Sequence, residues 1–406
     1  MSLNSTPNGE RVHIGIFGKR NAGKSSIINR LTGQNIAIVS DKAGTTTDPV
    51  SKAMEILPLG PVLIIDTPGY DDSGKLGELR VEKSKESLRK TDLAIIVIGA
   101  DIGISEEDIF FIKDIINRNL PYIICINKID LADIDTIKNE ILSKLASKDV
   151  CIMGVSARNN EGFNELREAI ASYNKEVDEK HVISDLLEEN DTIVLVVPID
   201  EAAPKGRLIL PQQQVIRDAL EKGVCVVVTR EIELEQALNK LAEPPKAVIT
   251  DSQAFNYVSK IVPEDVYLTS FSILMARYKG DLDWQIEGAK AIERLENGSK
   301  VLISEGCTHH RQCGDIGTVK LPRWIKEYTN KEIHFEFTSG TEFPENLSKY
   351  DLIVHCGGCT LNEKEMKYRI QKARECGVSI TNYGVLISYI NGILERSVRL
   401  LTIHSN

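Results

Sequence analysis

The chain has little aromatic side chain to draw on: tryptophan, tyrosine and phenylalanine make up 5% of its 406 residues. It also has no excess of positive charge, since 49 lysines and arginines face 59 aspartates and glutamates, for a formal net charge of −10. Binding to nucleic acid as a bulk polycation is thereby excluded, and no basic stretch interleaved with aromatics stands out that would read RNA. No apolar run reaches the roughly 18–20 residues that a bilayer-spanning helix needs. Met1 to Arg11 is polar and lacks the apolar centre of a secretory signal. The expected location is the cytoplasm, with neither nucleic acid nor membrane as partner. In that compartment the eight cysteines are reduced thiols, better read as metal ligands or packing than as a disulfide framework. What is present is an ordinary globular composition, 42% hydrophobic and 27% charged. That excludes a mostly disordered chain and, at roughly 100–200 residues per domain, gives length for two to three domains.

The dominant rhythm is a short β-branched run, a turn, then a helical pattern. Runs at Val12–Phe17, Val62–Ile65, Leu93–Ile98 and Tyr122–Ile126 have the continuous apolar character of strands covered on both faces. Amphipathic stretches at Glu106–Asn117 and Asp135–Leu145 alternate with them, which predicts a parallel sheet with crossover helices. The pattern closes near Tyr173, and the charged segment Asn174–Asp191 reads as a linker helix or tether. A second set of strands follows at Ile193–Val197, Val224–Thr229, Ala247–Ile249 and Val266–Thr269. Helical patterns at Gln212–Glu221, Glu233–Leu241 and Gln253–Lys260 separate them. This region carries no phosphate loop or metal ligand set and reads as an association surface. From about Ser270, a helical stretch at Leu282–Leu295 leads to strands at Val301–Ser304, Ile333–Phe337, Leu352–Val354 and Ser379–Asn382. No short repeat stands out, although the second and third regions share one βα rhythm.

The strongest local signal is Gly18-Lys19-Arg20-Asn21-Ala22-Gly23-Lys24-Ser25, which fits G-x-x-x-x-G-K-[ST] between a predicted strand and a predicted helix. Its glycines let backbone N–H groups turn inward onto phosphate oxygens, and the helix that runs on through Ser26 adds positive potential at its N-terminus. Lys24 would reach the β- and γ-phosphates, and Ser25 would ligate magnesium. Asp66-Thr67-Pro68-Gly69 follows the strand Val62–Ile65: Asp66 can hold magnesium through water, and the Gly69 N–H can meet the γ-phosphate. Asn127-Lys128-Ile129-Asp130 follows the strand Tyr122–Ile126. A carboxylate at Asp130 can accept both the N1–H and the 2-amino group of guanine, a donor pair that adenine lacks. Ser156-Ala157-Arg158 would close over the base.

These four motifs resemble the translation-factor-like GTPases in order and spacing. By resemblance to the tRNA-modification GTPases, Gly44-Thr45-Thr46-Thr47-Asp48 is the first switch segment, with Thr46 on magnesium and the γ-phosphate. Tyr70 stands where Ras-like enzymes carry a water-orienting glutamine, so intrinsic hydrolysis is expected to be slow or to use another device. Related potassium-activated GTPases hold potassium beside the phosphates with an asparagine at the place of Asn21, and potassium-stimulated hydrolysis is the expectation here.

The third region carries Cys307-Thr308-His309 and His355-Cys356-Gly357-Gly358-Cys359, each directly after a predicted strand. Strands of a parallel sheet end on one edge, where ligands bind, so three thiolates can converge. With one further ligand they suit a structural zinc or a cubane iron–sulfur cluster, and the spacing alone leaves both open beside redox or packing roles. Cys125, Cys151 and Cys225 lie in apolar runs and read as core. Cys376 ends a helical pattern, and Cys313 follows Cys307 closely without an assigned role.

GTPase motifs joined to Cys-x-His and His-Cys-x-x-Cys, with the segment Pro198-Ile199-Asp200-Glu201-Ala202-Ala203-Pro204-Lys205-Gly206-Arg207-Leu208 between them, resemble the FeFe-hydrogenase maturation GTPases over essentially the whole chain. The fold class expected is α/β in three domains, an N-terminal P-loop GTPase followed by two smaller parallel-sheet domains. The resemblance implies a domain over residues 1–174 that binds and hydrolyses GTP and a homodimerising domain over 175–269. It implies a third domain over 270–406 that holds a 4Fe–4S cluster through Cys307, Cys356 and Cys359. His309, His355 and Glu305 are candidates for the fourth position, as is water or an outside ligand. The implied role is a scaffold or carrier that takes a diiron subcluster precursor from radical-SAM maturases and passes it to apo-hydrogenase, with GTP gating partner exchange. The alternative is a tRNA-modification or ribosome-assembly GTPase with a structural zinc site.

Overall fold

The computed structural model describes residues 6–33, 50–69, 75–145, 150–173, 180–199, 208–306 and 315–402. They form two compact units, Met1–Asp178 and Glu179–Asn406. The first unit is built on a six-stranded sheet of β1 (Val12–Gly18), β2 (Val50–Ile56), β3 (Gly60–Asp66), β4 (Leu93–Gly99), β5 (Tyr122–Asn127) and β6 (Ile152–Val155). The spatial order is β2-β3-β1-β4-β5-β6, and only β2 runs antiparallel to its neighbour. Residues of β4 alternate between two cores: Ile95 and Val97 pack on one face with Ile27 and Leu166, while Ala94, Ile96 and Ile98 pack on the other with Ile112 and Ile141. Both faces are thus covered, which is why the central strands are unbroken apolar runs. The helix Glu106–Asn117 has the bounds the pattern predicted. It starts where Ser105 and Asp108 cap each other reciprocally, with Glu106 and Glu107 in the positive first turn.

The second unit holds two four-stranded sheets, all parallel. The first comprises β7 (Thr192–Val196), β8 (Cys225–Thr229), β9 (Ala247–Thr250) and β10 (Tyr267–Ser270), in the order β10-β9-β7-β8. The second comprises β11 (Lys300–Ser304), β12 (His334–Thr338), β13 (Leu352–His355) and β14 (Ser379–Asn382), in the order β12-β11-β13-β14. Each has its first strand flanked by its second on one side and its third on the other, so the shared rhythm of the sequence is a structural repeat. The repeats also exchange helices. Leu282–Ala289, which follows the first sheet, packs along β14, and Leu394–Thr402, which follows the second, packs along β10. One hydrophobic core therefore runs through both sheets, from Val194, Ile249 and Phe271 to Val301, Val354 and Val385.

Several expectations are corrected. The charged segment after residue 174 is not a tether where it is described: Val182, Ile183, Leu186 and Leu187 are buried in the core of the second unit. There the Asp218 carboxylate accepts the Ile183 and Ser184 N–H groups, each at 2.8 Å. Apolar pairs in a charged stretch decide its fate by burial. Cys125 is buried as expected, but Cys151 and Cys225 are exposed. Cys225 opens β8 and Cys151 directly precedes β6, and both strands lie at sheet edges, where an apolar run need not mean core. The strands β2 and β6 escape the sequence pattern for the same reason. The helical pattern Leu282–Leu295 is α-helical only to Ala289 and continues as a 3₁₀ segment, Lys290–Arg294. Gln253–Lys260 shortens to the helix Phe255–Val258 and Glu233–Leu241 to Leu234–Asn239. No helix among the described residues is long and apolar enough to cross a membrane.

Candidate functional site

The motifs of the first unit follow the C-terminal ends of β1, β3, β5 and β6, which share one edge of the sheet. Gly18 ends β1, and Gly23 leads into the helix Lys24–Thr32. Gly23 has φ +97°, and a Cβ there would come within 2.0 Å of the Asn127 amide nitrogen, so the position admits glycine alone. The N-cap Gly23 brings no side chain to this helix, so its first turn, Lys24 to Ser26, has the form of an anion-binding helix N-terminus. Asn21 takes φ +61°, a left-handed conformation that asparagine tolerates. Lys24 Nζ donates to the carbonyls of Gly18 (2.8 Å) and Lys19 (2.9 Å), which holds the ammonium over the loop. Ser25 Oγ donates to Asp66 Oδ2 at 3.2 Å, so the two side chains expected around magnesium meet. Burial raises the Asp66 pKa, while the Lys24 charge and the Ser25 hydroxyl lower it. Thr67 Oγ1 donates to the Ile16 carbonyl at 2.6 Å and pins the start of the loop that leads to Gly69. Thr46 and Tyr70 lie outside the described residues.

The base-side residues are tied to the phosphate loop by one amide. Asn127 is 2% exposed; its Nδ2 donates to the Ala22 carbonyl (3.0 Å) and its Oδ1 accepts the Ala157 N–H (3.2 Å). Ser156 Oγ donates to Asp130 Oδ1 at 2.7 Å, which orients the carboxylate expected on guanine. Lys128, at φ +64°, pairs with Asp101 at 2.7 Å, and Arg30 Nε donates to the Ala157 carbonyl at 2.9 Å. Sequence reasoning missed Asp101 and Arg30. The signal for Asp101 was its place just after β4, on the edge where the motifs gather.

The second cluster lies on the last sheet. β11 and β13 are neighbours and pair Ser304 with His355. At this point the chain leaves β11 for β12 on one side while β13 lies on the other, which is where open α/β sheets bind ligands. Cys356 Sγ accepts the N–H groups of Gly306 (3.0 Å) and Gly358 (3.4 Å), a small nest of donors for a thiolate. Gly358 has φ +61°, and a Cβ there would lie 2.5 Å from Met366 Sδ, so the turn needs this glycine. Burial and the neighbouring Cys359 push the Cys356 thiol up to about 11, and burial raises Cys359 as well. Thiols so raised stay protonated unless a cation takes the proton's place, and two sulfurs on one turn are the donor type that a thiophilic metal group uses. Glu305 is 5% exposed and accepts a hydrogen bond from Tyr383 Oη at 3.4 Å. Cys307, His309 and Cys313 lie outside the described residues. Among those described, no group of three His, Cys, Asp or Glu is arranged to hold a metal ion.

His355 has both ring nitrogens engaged. Arg369 Nη1 stands 2.9 Å from Nε2 and can only donate, so Nε2 is the acceptor and the ring is neutral. Nδ1–H then donates to the Cys356 carbonyl at 2.7 Å. Burial and the Arg369 charge hold its pKa down, at about 3. An unfolded chain protonates this ring near 6.5. The neutral folded form thus contributes stability in full above about pH 6.5 and loses it as the pH falls towards 3. The expected result is a ring ¹⁵N spectrum of one neutral Nδ1–H tautomer still present at about pH 5. An imidazolium signal there would contradict the arrangement. Arg369, with no exposed surface, also donates to Glu365 (2.9 Å), Ser304 (3.3 Å) and the Gly340 carbonyl (3.0 Å). Sequence reasoning missed it, although it sits on the stripe of Met366, Ile370 and Ala373, where a charge is out of place.

The class this architecture defines is a P-loop GTPase extended by two parallel sheets, with a cysteine turn at the middle of the last. Family models match part by part: residues 13–128 a 50S ribosome-binding GTPase, 182–280 the hydrogen maturase F dimerization domain, and 283–400 the hydrogen maturase F tetramerization domain. The chain belongs to the hydrogen maturase F family. Among curated proteins it is 38% identical over 158 residues to the tRNA modification GTPase MnmE of Clostridioides difficile, covering 39% of this chain and 33% of the relative. It is 33% identical over 161 residues to the GTPase Era of Carboxydothermus hydrogenoformans, covering 39% of this chain and 53% of the relative. The chain thus spans a third to a half of the curated relatives it matches. Among solved structures, Era of Aquifex aeolicus bound to GDP and AlF4⁻ aligns at a TM-score of 0.37 and 23% identity, over 54% of this chain and 93% of that one.

Proposed function

We propose that this protein binds and hydrolyses GTP in the cytoplasm and holds a 4Fe–4S cluster in the maturation of FeFe-hydrogenase. In this reading it carries the diiron subcluster precursor from radical-SAM maturases to apo-hydrogenase. The observation that carries the metal half is that β11 and β13 are neighbours and that cysteine segments follow both. Cys307, Cys356 and Cys359 would supply three thiolates. The fourth position would fall to His309, His355, Glu305, water or an outside ligand, and the bonds at both His355 nitrogens favour the others over His355. A cluster bound there would supply a site that can receive a second iron group. In the nucleotide half, Lys24 and the loop N–H groups neutralise the phosphates, Ser25, Thr46 and Asp66 hold magnesium, and Gly69 senses the γ-phosphate. The tRNA modification GTPases match 39–41% of the chain, whereas the maturase models match residues 182–280 and 283–400, which favours this reading over the structural-zinc alternative.

Self-association is supported by the two maturase domain models and by β8, an edge strand that exposes Cys225 and Val228. A homodimer is the simplest use of that edge. Asn21 in the phosphate loop, the residue type that potassium-activated GTPases carry there, supports potassium as the activating ion. Hydrolysis is then expected to run about 10-fold or more faster in potassium chloride than in sodium chloride of equal ionic strength. Equal rates would remove the potassium site.

The whole reading is tested by iron and sulfide analysis with EPR on protein reconstituted without oxygen. About four irons and four sulfides per chain are expected, with a reduced S = 1/2 signal lost in Cys356→Ala. One zinc per chain without iron uptake would favour the structural-zinc GTPase.

A further inference from the structure

We propose that Lys279 is a positioning residue of the metal centre: a buried ammonium that holds the Cys356–Cys359 turn in shape and offsets the negative charge of the group bound there. The proposal rests on the reading of that turn as an iron–sulfur site. Lys279 ends the helix Phe271–Lys279, which follows β10 and belongs to the sheet that carries no cysteine ligands. The family models divide the unit at the same place, with Lys279 inside the dimerization match and the cysteine turn inside the tetramerization match. The side chain crosses that division. It is 2% exposed, and its Nζ donates to the carbonyls of Cys359 (3.0 Å) and Leu361 (2.9 Å). The same helix forms the floor of the turn: a Cβ on Gly357 would rest 3.5 Å from Met275 Cβ and 3.8 Å from Ser272 Oγ.

A fully buried lysine is costly unless its charge does something there. Two carbonyls of one short turn fix the backbone on either side of Thr360, which in turn donates to the Gly306 carbonyl at 2.6 Å, in the segment that leads to Cys307. The ammonium therefore steadies the Cys356–Cys359 turn and, through Thr360, is linked to Gly306 at the end of the described stretch. Its charge has a second consequence. Accepting one electron adds one negative charge to a thiolate-bound cluster, and a cation in a low-dielectric site stabilises that state more than the oxidised one. Lys279 raises the potential of the centre, and it does so from the sheet assigned to dimerization, so a shift of the helix Phe271–Lys279 is felt at the cysteine turn.

The test uses the full chain, reconstituted with iron and sulfide without oxygen, as wild type, Lys279→Met and Lys279→Gln. Methionine keeps most of the length and removes charge and donors; glutamine, also one atom shorter, removes the charge and keeps an N–H donor. Iron and sulfide content, an EPR-monitored dithionite titration and the thermal unfolding of the apo-protein are measured for each. The expected result is a midpoint potential shifted to more negative values in both variants. Failure of both to retain iron, with the apo-protein folded, also supports the proposal. Unshifted potentials with full iron content, and only a lowered melting temperature, would reduce Lys279 to a strut and overturn it. A wild-type chain that takes up no iron would instead overturn the metal reading on which the proposal rests, and zinc binding by that chain would say so independently of the variants.

Discussion

Asp130→Asn will cost the protein its guanine preference. A carboxylate accepts two N–H groups from guanine, whereas an amide turns a donor against one of them and gives up the charge on the other contact. At about 1.5–3 kcal/mol for each charge-assisted bond, the loss amounts to roughly 10³-fold or more in GTP affinity. Xanthosine triphosphate, with a carbonyl where guanine has its amino group, should gain in the same variant. Ser156 can still donate to the remaining oxygen as it does to Asp130 at 2.7 Å, so the loop keeps its shape. Asn127 keeps its bonds to Ala22 and Ala157. Competition of GTP and xanthosine triphosphate against a fluorescent nucleotide measures the effect. Undiminished GTP affinity would show that Asp130 does not face the base.

Arg369→Met is expected to destabilise the second unit by about 3–5 kcal/mol. The guanidinium ties the ends of β11 and β13, the loop after β12 and the helix Glu363–Glu375 through Ser304, His355, Gly340 and Glu365. Its removal leaves Glu365, 3% exposed, as a buried charge without this partner, and among the described residues Glu365 Oε2 has no hydrogen-bond partner to compensate. Arg369→Met combined with Glu365→Met should recover much of the loss, because two apolar groups replace a pair rather than half of one. Both tryptophans, Trp284 and Trp324, lie in this unit, so urea unfolding followed by tryptophan fluorescence reports on it selectively. A loss below about 1 kcal/mol would mean that the network is replaceable by solvent.

The chemistry of the nucleotide site was legible because each motif is contiguous and each follows its own strand. Gly18 to Ser25, Asp66 to Gly69 and Asn127 to Asp130 need only a parallel sheet to bring them to one edge, and apolar runs such as Leu93–Ile98 announce such a sheet. The turn at Cys356–Cys359, which follows β13, was legible for the same reason. What the sequence did not disclose are pairs between distant segments: Lys128 with Asp101, Arg30 with the Ala157 carbonyl, Arg369 with His355, and Lys279 with the Cys359 carbonyl. A buried cation looks like a surface charge until its partner is known. Edge strands fail in the opposite sense, as Cys225 and Cys151 do, since apolar character there reflects strand propensity or an interface rather than core.

The sequence by itself determined the α/β class, the phosphate loop, the guanine motif and the two cysteine segments, because local hydrophobic period and backbone-specific residues such as Gly23 act over a few residues. Only the tertiary structure decided that the second and third regions are repeats sharing one core. It alone decided that His355 hydrogen-bonds Arg369 and the Cys356 carbonyl, and that a lysine from one sheet donates to the cysteine turn of the other. Those outcomes depend on which helix packs on which strand. Packing is a sum over the whole chain, in which burying apolar area outweighs the cost of placing Arg369 and Lys279 inside once each has its partners.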